Sequence, residues 1–373
     1  MTDDDLPESD RADGAPHPRE TLQLFGQQDA EAALLEALNS GRMHHAWLIS
    51  GPKGVGKATL AWRLARHLIA TPAETADAGL FGDTPPPPDT LAVAPDHPVS
   101  HRIAALSEPS LLLIRRAWDH DKKRLKTQIT VDEVRKLASF FGLSSTDGGR
   151  RVVLVDSVDD MNPSAANALL KVLEEPPKNA ILLLISHAPA RLLPTIRSRC
   201  RDIRLPSLDD DALTSALDAA GYPDADPQLS ALSGGSVGTA IRLISQNGPE
   251  LYEQILQLLA SCPSLDRSAA RKFAEYITAR GQEERLAVAL DLLNHALSRL
   301  ARHGAGFSAP GPSSKETEIF NRLAPNAHAA RRWAALQQEL SQRIGHGRAV
   351  NVDAQSLILD SLLKINETAG AAA

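Results

Sequence analysis

The chain has little of several things that define whole classes of protein. It contains 2 cysteines in 373 residues, Cys200 and Cys262, which are too few for a disulfide framework or for a structural zinc site built from cysteine. Such usage fits a reducing cytoplasm. The formal net charge of −6 argues against nucleic-acid binding through bulk positive charge and favours protein partners.

The sequence also lacks an uninterrupted apolar run of membrane length, and its first residues have no apolar core of the kind found in signal peptides. Residues 1–20 are acidic and polar, so they predict a disordered tail on a cytoplasmic protein. With 43% hydrophobic residues, the remainder is able to bury the cores of two or three domains.

Strand and helix patterns alternate from Leu22 to Pro206. Short apolar runs predict buried strands, and a period near 3.6 residues predicts helices between them. One helix has Asn162 as its predicted cap and Pro163 at its first position. The order predicts a doubly wound α/β domain over residues 21–206, with strands at 46–51, 111–114, 152–156 and 180–186 and helices at 31–41, 58–70, 131–141 and from 163 onward.

After Pro206 the strand signals end. Residues 207–248 predict a small helical unit. Residues 249–373 predict longer amphipathic helices, interrupted by a flexible stretch at 303–316.

A phosphate-binding loop is the clearest local motif. Residues 51–59 read GPKGVGKAT and lie between a predicted strand and a predicted helix. Glycine permits the tight turn, and the helix presents its N-terminus to anions. The predicted phosphate ligands are the loop amides and one ammonium group, on Gly51, Gly54, Val55, Gly56 and Lys57.

The same motif lacks its metal-binding hydroxyl. The pattern GxxxxGK[ST] ends in a serine or threonine that holds magnesium, and here the position is Ala58. Thr59 is one residue further, which turns its side chain by about 100° around the helix. Nucleotide binding is compatible with this loop, and metal-assisted turnover is not expected.

Four segments in fixed order resemble the AAA+ subunits of bacterial clamp loaders. They are GPKGVGKAT, then VVLVDSVDDMNPSAANALLKVLEEPP at 152–177, LLLISHAP at 182–189 and PTIRSRC at 194–200. The resemblance covers most of residues 21–206, and the helical remainder matches by layout alone. NALLKVLEEPP followed by SRC is far more specific than the phosphate loop.

The resemblance implies a P-loop AAA+ module with a parallel sheet flanked by helices. A helical lid would follow at 207–248, and an all-α collar at 249–373 through which five subunits associate. It also implies gamma/tau-like motor subunits and a delta subunit as partners, and a DNA polymerase III nucleotidyltransferase holoenzyme that loads a ring-shaped sliding clamp onto primed DNA.

Further losses follow from the same comparison. Asp156 stands where a carboxylate supports magnesium, although a capping or turn carboxylate is the alternative interpretation. Ser157 replaces the glutamate that orients water, and loss of a positioned base costs about 10²- to 10⁴-fold in rate. Asp159 and Asp160 lie further into the turn and are weak substitutes.

Two sensor positions are implied as well. Ser186 matches the first sensor, or else it is simply the polar end of a buried strand, and the adjacent His187 is interpreted as a surface or packing residue. In GGSVGTA (234–240), Gly238 replaces the second sensor's arginine, and Arg242 lies a full helical turn too late.

Arg199, in contrast to these positions, has the residue type that the family pattern has there. The arginine of SRC is implied to project into the nucleotide site of a neighbouring subunit as an arginine finger, contributing on the order of 10³ to 10⁵ in rate. The alternative is a surface or intrachain salt bridge, which the nearby Arg197, Arg201 and Arg204 make credible.

Two other features are weaker candidates. Relatives often carry a four-cysteine zinc module, but no cysteine lies between residues 70 and 150, and His97 and His101 beside Asp96 are expected to be solvated loop residues, so no zinc is predicted. The basic stretch 115–126, with Trp118, could contact phosphates but is better interpreted as a solvated loop.

Two functional hypotheses result. The favoured one is a largely noncatalytic subunit that needs no cofactor, binds ATP and magnesium weakly or without hydrolysis, and supplies Arg199 to a neighbour. The alternative is an active AAA+ ATPase, either a clamp-loader motor subunit or a branch-migration helicase motor. Ala58, Ser157 and Gly238 distinguish them, because a motor needs a hydroxyl, a glutamate and an arginine there.

Overall fold

A computed structural model describes residues 6–71, 88–142, 149–307, 314–350 and 352–372. The chain divides into two compact units, the first made of residues 1–223 with 235–238 and the second of 224–234 with 239–373. The predicted lid at 207–248 is therefore not a separate unit, because its residues are shared between the two.

A five-stranded sheet forms the centre of the first unit. Its order is β2-β5-β6-β1-β7, and every pairing in it is parallel. The strands are β1 (Ala46–Ser50), β2 (Leu111–Arg115), β5 (Arg151–Asp156), β6 (Ala180–Ser186) and β7 (Arg201–Arg204), and a separate hairpin pairs β3 (Trp118–Asp119) with β4 (Arg124–Leu125).

Helices cover the sheet, and β1 and β6 are buried along their whole length because successive side chains point to opposite faces of the sheet. Alternate residues of β1, such as Ala46 and Leu48, pack with α4 and α5, whereas α2 packs against β1, β5 and β6. The α/β class is confirmed. The helices of this unit are α1 (Gln28–Asn39), α2 (Lys57–Ala70), α3 (Pro98–Ala104), α4 (Val131–Gly142), α5 (Pro163–Glu174), α6 (Pro194–Arg197) and α7 (Asp210–Ala219), with 3-10 turns at Val158–Asp160 and Pro189–Arg191.

The second unit is helical over the residues described. Its core is a continuous cluster of buried leucine, isoleucine and alanine side chains around Tyr252 and Trp333. Its helices are α8 (Gln228–Ser233), most of α9 (Val237–Ser245), α10 (Gly248–Ser261), α11 (Arg267–Ile277), α12 (Glu283–Gly304), α13 (Ser314–Leu323), α14 (Ala327–Ala349) and α15 (Ala354–Ala372). No helix in the described part of the chain is long and apolar enough to span a membrane.

The N-terminal prediction is wrong for part of its range. A disordered tail was expected over residues 1–20, yet residues 6–20 pack on the first unit, and the His17 side chain is fully buried. The acidic side chains that indicated disorder are paired with Arg115, distant in sequence, and with Arg19 of the same stretch. Residues 1–5 lie outside the described part.

Other elements escaped prediction because their sequence signals are weak. β7 reads RDIR and buries only Ile203 among its four residues, so its pattern lacks the apolar run of the other strands. The stretch 115–126, interpreted as a loop, contains the β3–β4 hairpin, whose strands have two residues each. Residues 72–87, which include Pro85, Pro86 and Pro87, lie outside the described residues.

Candidate functional site

The loop between β1 and α2 needs its glycines for steric reasons. Gly51 and Gly54 have φ of 142° and 78°. A Cβ on Gly51 would lie 2.3 Å from the carbonyl oxygen of Leu205, and one on Gly54 would lie 2.4 Å from Ser236 Oγ. The tight turn predicted from the motif is present, and other residue types would collide with its surroundings.

Lys57 opens α2 and points back into the loop. Its Nζ donates to the carbonyl oxygen of Gly51 at 2.8 Å and to that of Pro52. The residue is only 3% exposed, and burial lowers the pKa of Lys57 to about 8 even though Asp156 and Asp159 oppose the shift. The ammonium group that should meet a phosphate is bound to the loop's own carbonyl oxygens.

Residues 235–238 close over the outside of the same loop. Ser236 Oγ donates to the carbonyl oxygen of Lys53 at 2.9 Å, and the Gly238 amide donates to that of Gly54 at 3.3 Å. Gly238 stands where the second sensor's arginine was expected, and it contributes backbone alone. The guanidinium needed to contact a terminal phosphate is therefore missing at this position.

The remaining loop positions support the same interpretation. Gln27 Nε2 donates to the carbonyl oxygens of Val55 at 3.2 Å and Pro206 at 3.0 Å, which ties the loop to the chain beyond β7. Ala58 and Thr59 are the second and third residues of α2. The methyl group of Ala58 offers no oxygen to a metal ion.

Asp156 ends β5 at the same edge of the sheet. Burial raises the pKa of Asp156 to about 7, and the negative charge of Asp10 adds to that rise, while Lys57 opposes it. Ser157 is 3% exposed, and its carbonyl oxygen accepts a hydrogen bond from the Asp160 amide at 3.0 Å. The serine is thus buried within the turn, and a hydroxyl could not act as a base at neutral pH.

Asp159 connects the turn after β5 to the end of β6. Its Oδ1 accepts hydrogen bonds from Ser186 Oγ at 2.8 Å and from the Ala188 amide at 3.3 Å, and its Oδ2 accepts one from the His187 amide. Asp159 therefore acts as a structural acceptor at the strand end. Ser186, fully buried, is engaged by that carboxylate.

The structure brings the predicted nucleotide-site residues together. Parallel strands β1, β5 and β6 end at one edge of the sheet, so the loop, Asp156 and Ser186 share that edge. The charges of Asp156 and Asp159 act on Lys57 accordingly. The predicted site residues are thus adjacent, and Lys57 and Ser186 among them are bound to groups of the protein itself.

Arg199 lies at the opposite edge. It precedes β7, whose Arg201 is level with Trp47 in the parallel pairing with β1, whereas Gly51 follows the other end of β1. At ~3.3 Å per residue, the levels of Arg201 and Gly51 differ by about 13 Å along the strands. Arg199 is therefore on the far side of the sheet from the chain's own phosphate loop.

The Arg199 side chain is partly exposed, and it contacts its own short segment and the end of α5. One of its terminal nitrogens donates to the carbonyl oxygen of Thr195 at 2.9 Å, and the other lies 2.9 Å from Glu174 Oε1. Both partners of the ion pair are at least a third exposed, and such pairs contribute about 0–1 kcal/mol. Arg201 packs over the Trp47 ring at 5.2 Å, so these neighbouring arginines differ in environment.

Other sequence candidates have structural roles. His97 caps α3, because its ring nitrogen accepts a hydrogen bond from the Val99 amide at 3.1 Å. Within the basic stretch, Arg116 lies 3.1 Å from Asp160, while Lys122 and Lys123 are exposed. In the described part of the chain, no group of three or more histidine, cysteine or acidic residues is arranged to hold a metal ion.

Comparison with known proteins identifies the family. The family described as "DNA polymerase III, delta subunit" matches residues 26–209. The DNA polymerase III subunit delta' of Escherichia coli strain K12 is 30% identical over 340 residues, which cover 89% of this chain and 92% of the relative. The chain belongs to the delta' family of DNA polymerase III subunits. The clamp-loader resemblance that the motifs carried is confirmed at this level.

Other relatives of this delta' family member match over shorter spans. The delta' subunit of Pseudomonas aeruginosa is 37% identical over 232 residues, or 61% of this chain and 64% of the relative's length. The gamma/tau subunit of Mycobacterium tuberculosis strain H37Rv is 32% identical over 182 residues, which cover 49% of this chain and 28% of that protein.

Among solved structures, a DNA polymerase III gamma-subunit-related protein of Thermotoga maritima is 18% identical, with a TM-score of 0.43 and coverage of 90% of this chain and 99% of that one. The RuvB branch migration motor of the same organism is 15% identical, with a TM-score of 0.39 and coverage of 84% and 90%.

Proposed function

We propose that this chain is a largely noncatalytic clamp-loader subunit of DNA polymerase III that supplies Arg199 to the nucleotide site of a neighbouring ATPase. It works in the cytoplasm with gamma/tau-like motor subunits and a delta subunit in a hetero-pentamer. The complex loads a sliding clamp onto primed DNA. The chain itself requires no nucleotide, magnesium or zinc, and any ATP that it binds is held weakly and not hydrolysed.

One observation carries the trans role. Arg199 and the phosphate loop lie at opposite edges of a parallel sheet, so a phosphate that meets this guanidinium belongs to another molecule. The planar guanidinium fork is suited to phosphate oxygens. In the chain alone, the Arg199 guanidinium is paired with Glu174 at the surface. An exposed ion pair contributes little free energy, so a phosphate can replace the carboxylate.

Four residues of the chain's own nucleotide site support the proposed lack of ATP hydrolysis there. The side chain of Ala58 has no metal-binding oxygen, Ser157 has a hydroxyl in place of a carboxylate base, and Gly238 provides no cationic side chain. Lys57 is directed at carbonyl oxygens of its own loop. A motor subunit needs all four functions, so the active-ATPase alternative has less support.

The trans role is tested in a reconstituted complex. With Arg199→Ala, DNA-stimulated ATP turnover is expected to fall by the whole contribution of the adjoining site, because a missing finger slows that site about 10³-fold or more. Steady-state ATPase and gel filtration would be measured together. Unchanged turnover in a fully assembled complex would refute the proposal.

Two variants separate a finger from a structural salt bridge. Glu174→Gln removes the resting partner and keeps Arg199, so turnover should stay near wild type, whereas a structural ion pair would make it resemble Arg199→Ala. Arg197→Ala removes an exposed arginine from the same short segment and serves as the matched control.

Hydrolysis by the isolated chain provides the second test. ATP turnover is expected to be no higher than that of Lys57→Ala, because the site lacks both a metal ligand and a base. Turnover at rates typical of AAA+ motors would favour the active-ATPase alternative.

A further inference from the structure

An acidic segment precedes the region that the delta' family comparison matches. The match begins at residue 26, whereas residues 8–19 already make buried contacts with the first unit. We call this stretch the N-terminal segment. Its position is informative because it adds charge next to the nucleotide site described above.

Arg115 holds the segment at the sheet. This residue ends β2 and is paired in register with Asp156, so it lies at the edge that carries the phosphate loop. Its guanidinium binds Glu8 Oε1 at 3.0 Å and also Asp10 Oδ1. Arg19 binds the same Glu8 oxygen at 2.6 Å. Two carboxylates of the segment thus bind Arg115, a cation at this edge.

The contact is buried as well as charged. The side chains of Asp10 and His17 are both 0% exposed, and His17 Nε2 lies 3.4 Å from Asp10 Oδ2. The His17 ring packs edge-on against Trp62 of α2, with centroids 6.2 Å apart. Charged groups are rarely buried without partners, and the buried Asp10 has one in Arg115.

Further bonds fix the segment along its length. Tyr222, just beyond α7, donates its hydroxyl to the carbonyl oxygen of Gly14 at 2.8 Å. Arg66 of α2 donates to the carbonyl oxygen of Arg19 at 2.6 Å, and Arg19 Nε donates to that of Ala104 at 3.0 Å. The segment therefore reaches from the end of β2 across α2 and α3 to the residues after α7.

Its charge opposes a bound polyphosphate. Asp10 is bound to Arg115, which is in register with Asp156, so the segment adds a second carboxyl group at this edge. Nearby like charges disfavour a further anion, and the segment has also neutralised Arg115.

We propose that the N-terminal segment acts as an acidic ligand at the rim of the nucleotide site. It binds Arg115 there and thereby excludes nucleoside triphosphates. The proposal rests on the proposed noncatalytic function and deepens it, because it provides a reason, beyond lost catalytic groups, for the site to remain empty of nucleotide. The Arg199 experiment measures ATP turnover in another subunit, whereas this proposal is tested by nucleotide affinity of the chain itself. One proposal can therefore fail while the other holds.

The test uses the full-length chain with Glu8→Gln/Asp10→Asn. A fluorescent ATP analogue with magnesium is the probe, and its anisotropy gives the affinity. Release of the segment is followed by the rate of tryptic cleavage after Arg11 and Arg19. Asp13→Asn/Glu20→Gln removes the same charge from exposed positions of the same region and is the matched control.

The double variant is expected to be cleaved at least about 10-fold faster and to bind the analogue about 10-fold more tightly, while the control keeps wild-type values. A released segment with unchanged affinity would overturn the proposal, as would a segment that stays protected after both carboxylates are neutralised. If circular dichroism shows that the double variant is unfolded, Asp10→Asn alone is measured, with an expected gain of about 3-fold; no gain overturns the proposal.

Discussion

Lys57 and Asp156 show how burial changes single residues at this site. The pKa of Lys57 is lowered to about 8 and that of Asp156 is raised to about 7, and burial is the largest cause of both shifts. Burial makes the charged form of each group less stable than it is in water, in spite of the attraction between the two groups. Because burial opposes the charged form of Asp156, replacing this carboxyl group by a neutral one should stabilise the fold at pH values where the carboxyl group is ionised.

Asp156→Asn tests that idea through pH. The carboxyl group binds its proton in the folded state up to about pH 7 but releases it near pH 4 when unfolded, so the free energy of unfolding falls as pH rises through that window. The asparagine variant lacks this loss. Its stability relative to wild type should be greater at pH 8 than at pH 5 by about 1–2 kcal/mol after allowing for partial exposure.

Urea denaturation at both pH values measures the difference. Asp224→Asn, at an exposed position, is the control and should show no such pH dependence. A gain for Asp156→Asn that is the same at pH 5 and pH 8 would contradict the assigned cause.

The sequence predicted the chemistry of a position only where the type of residue is sufficient to determine it. Ala58 and Gly238 lack functional groups wherever the chain places them. The engagement of Lys57 with Gly51, and of Ser186 with Asp159, depends on contacts that no sequence pattern encodes.

At the scale of elements, the sequence predicted the buried strands and the helix starts that have clear local signals. β6 was predicted at 180–186 and spans those residues, because all of them are buried and apolar or small. The α5 start was also predicted: Asn162 caps it and Pro163 is its first residue. β7 was missed because an edge strand with charged residues on both sides of Ile203 has no apolar run.

The α5 cap provides an element-level prediction. Asn162 Oδ1 accepts a hydrogen bond from the Ala165 amide at 2.8 Å, which satisfies an otherwise unpaired donor at the helix N-terminus. Asn162→Ala should lower the free energy of unfolding by about 1 kcal/mol. Chemical denaturation measures this loss.

Asn162→Asp is the matched variant for the cap. It keeps an acceptor at the same position and should remain within a few tenths of a kcal/mol of wild type. If both variants lose equal stability, the cap contributes nothing of its own.

The N-terminal segment shows where element prediction fails for a physical reason. Composition alone indicated disorder, since the segment has few apolar residues to bury. Arg115, about a hundred residues away in sequence, supplies the opposite charge that holds it.

At the scale of the whole molecule, two cores support the chain separately. The second unit is centred on Trp333 of α14, which is 0% exposed and donates its indole N–H to the carbonyl oxygen of Leu323 at 2.8 Å. A chain with two compact units need not unfold in one step, so stability changes should be measured for each unit.

Trp333→Ala should destabilise the second unit by about 3–5 kcal/mol, because it leaves a cavity and an unpaired carbonyl oxygen. Hydrogen exchange of α12 amides reports that unit directly. Arg331→Ala, an exposed change on the same helix, should have little effect. Equal effects of the two substitutions would contradict the central position assigned to Trp333.

The sequence by itself determined the α/β class, the phosphate loop and the missing catalytic groups, because local periodicity and residue identity suffice for these. The tertiary structure decided which polar groups bind one another. It joined the carboxyl ends of β1, β5 and β6, put Arg199 at the opposite edge, and folded the N-terminal segment onto Arg115. Such contacts depend on strand order and on charges distant in sequence, which local patterns do not contain.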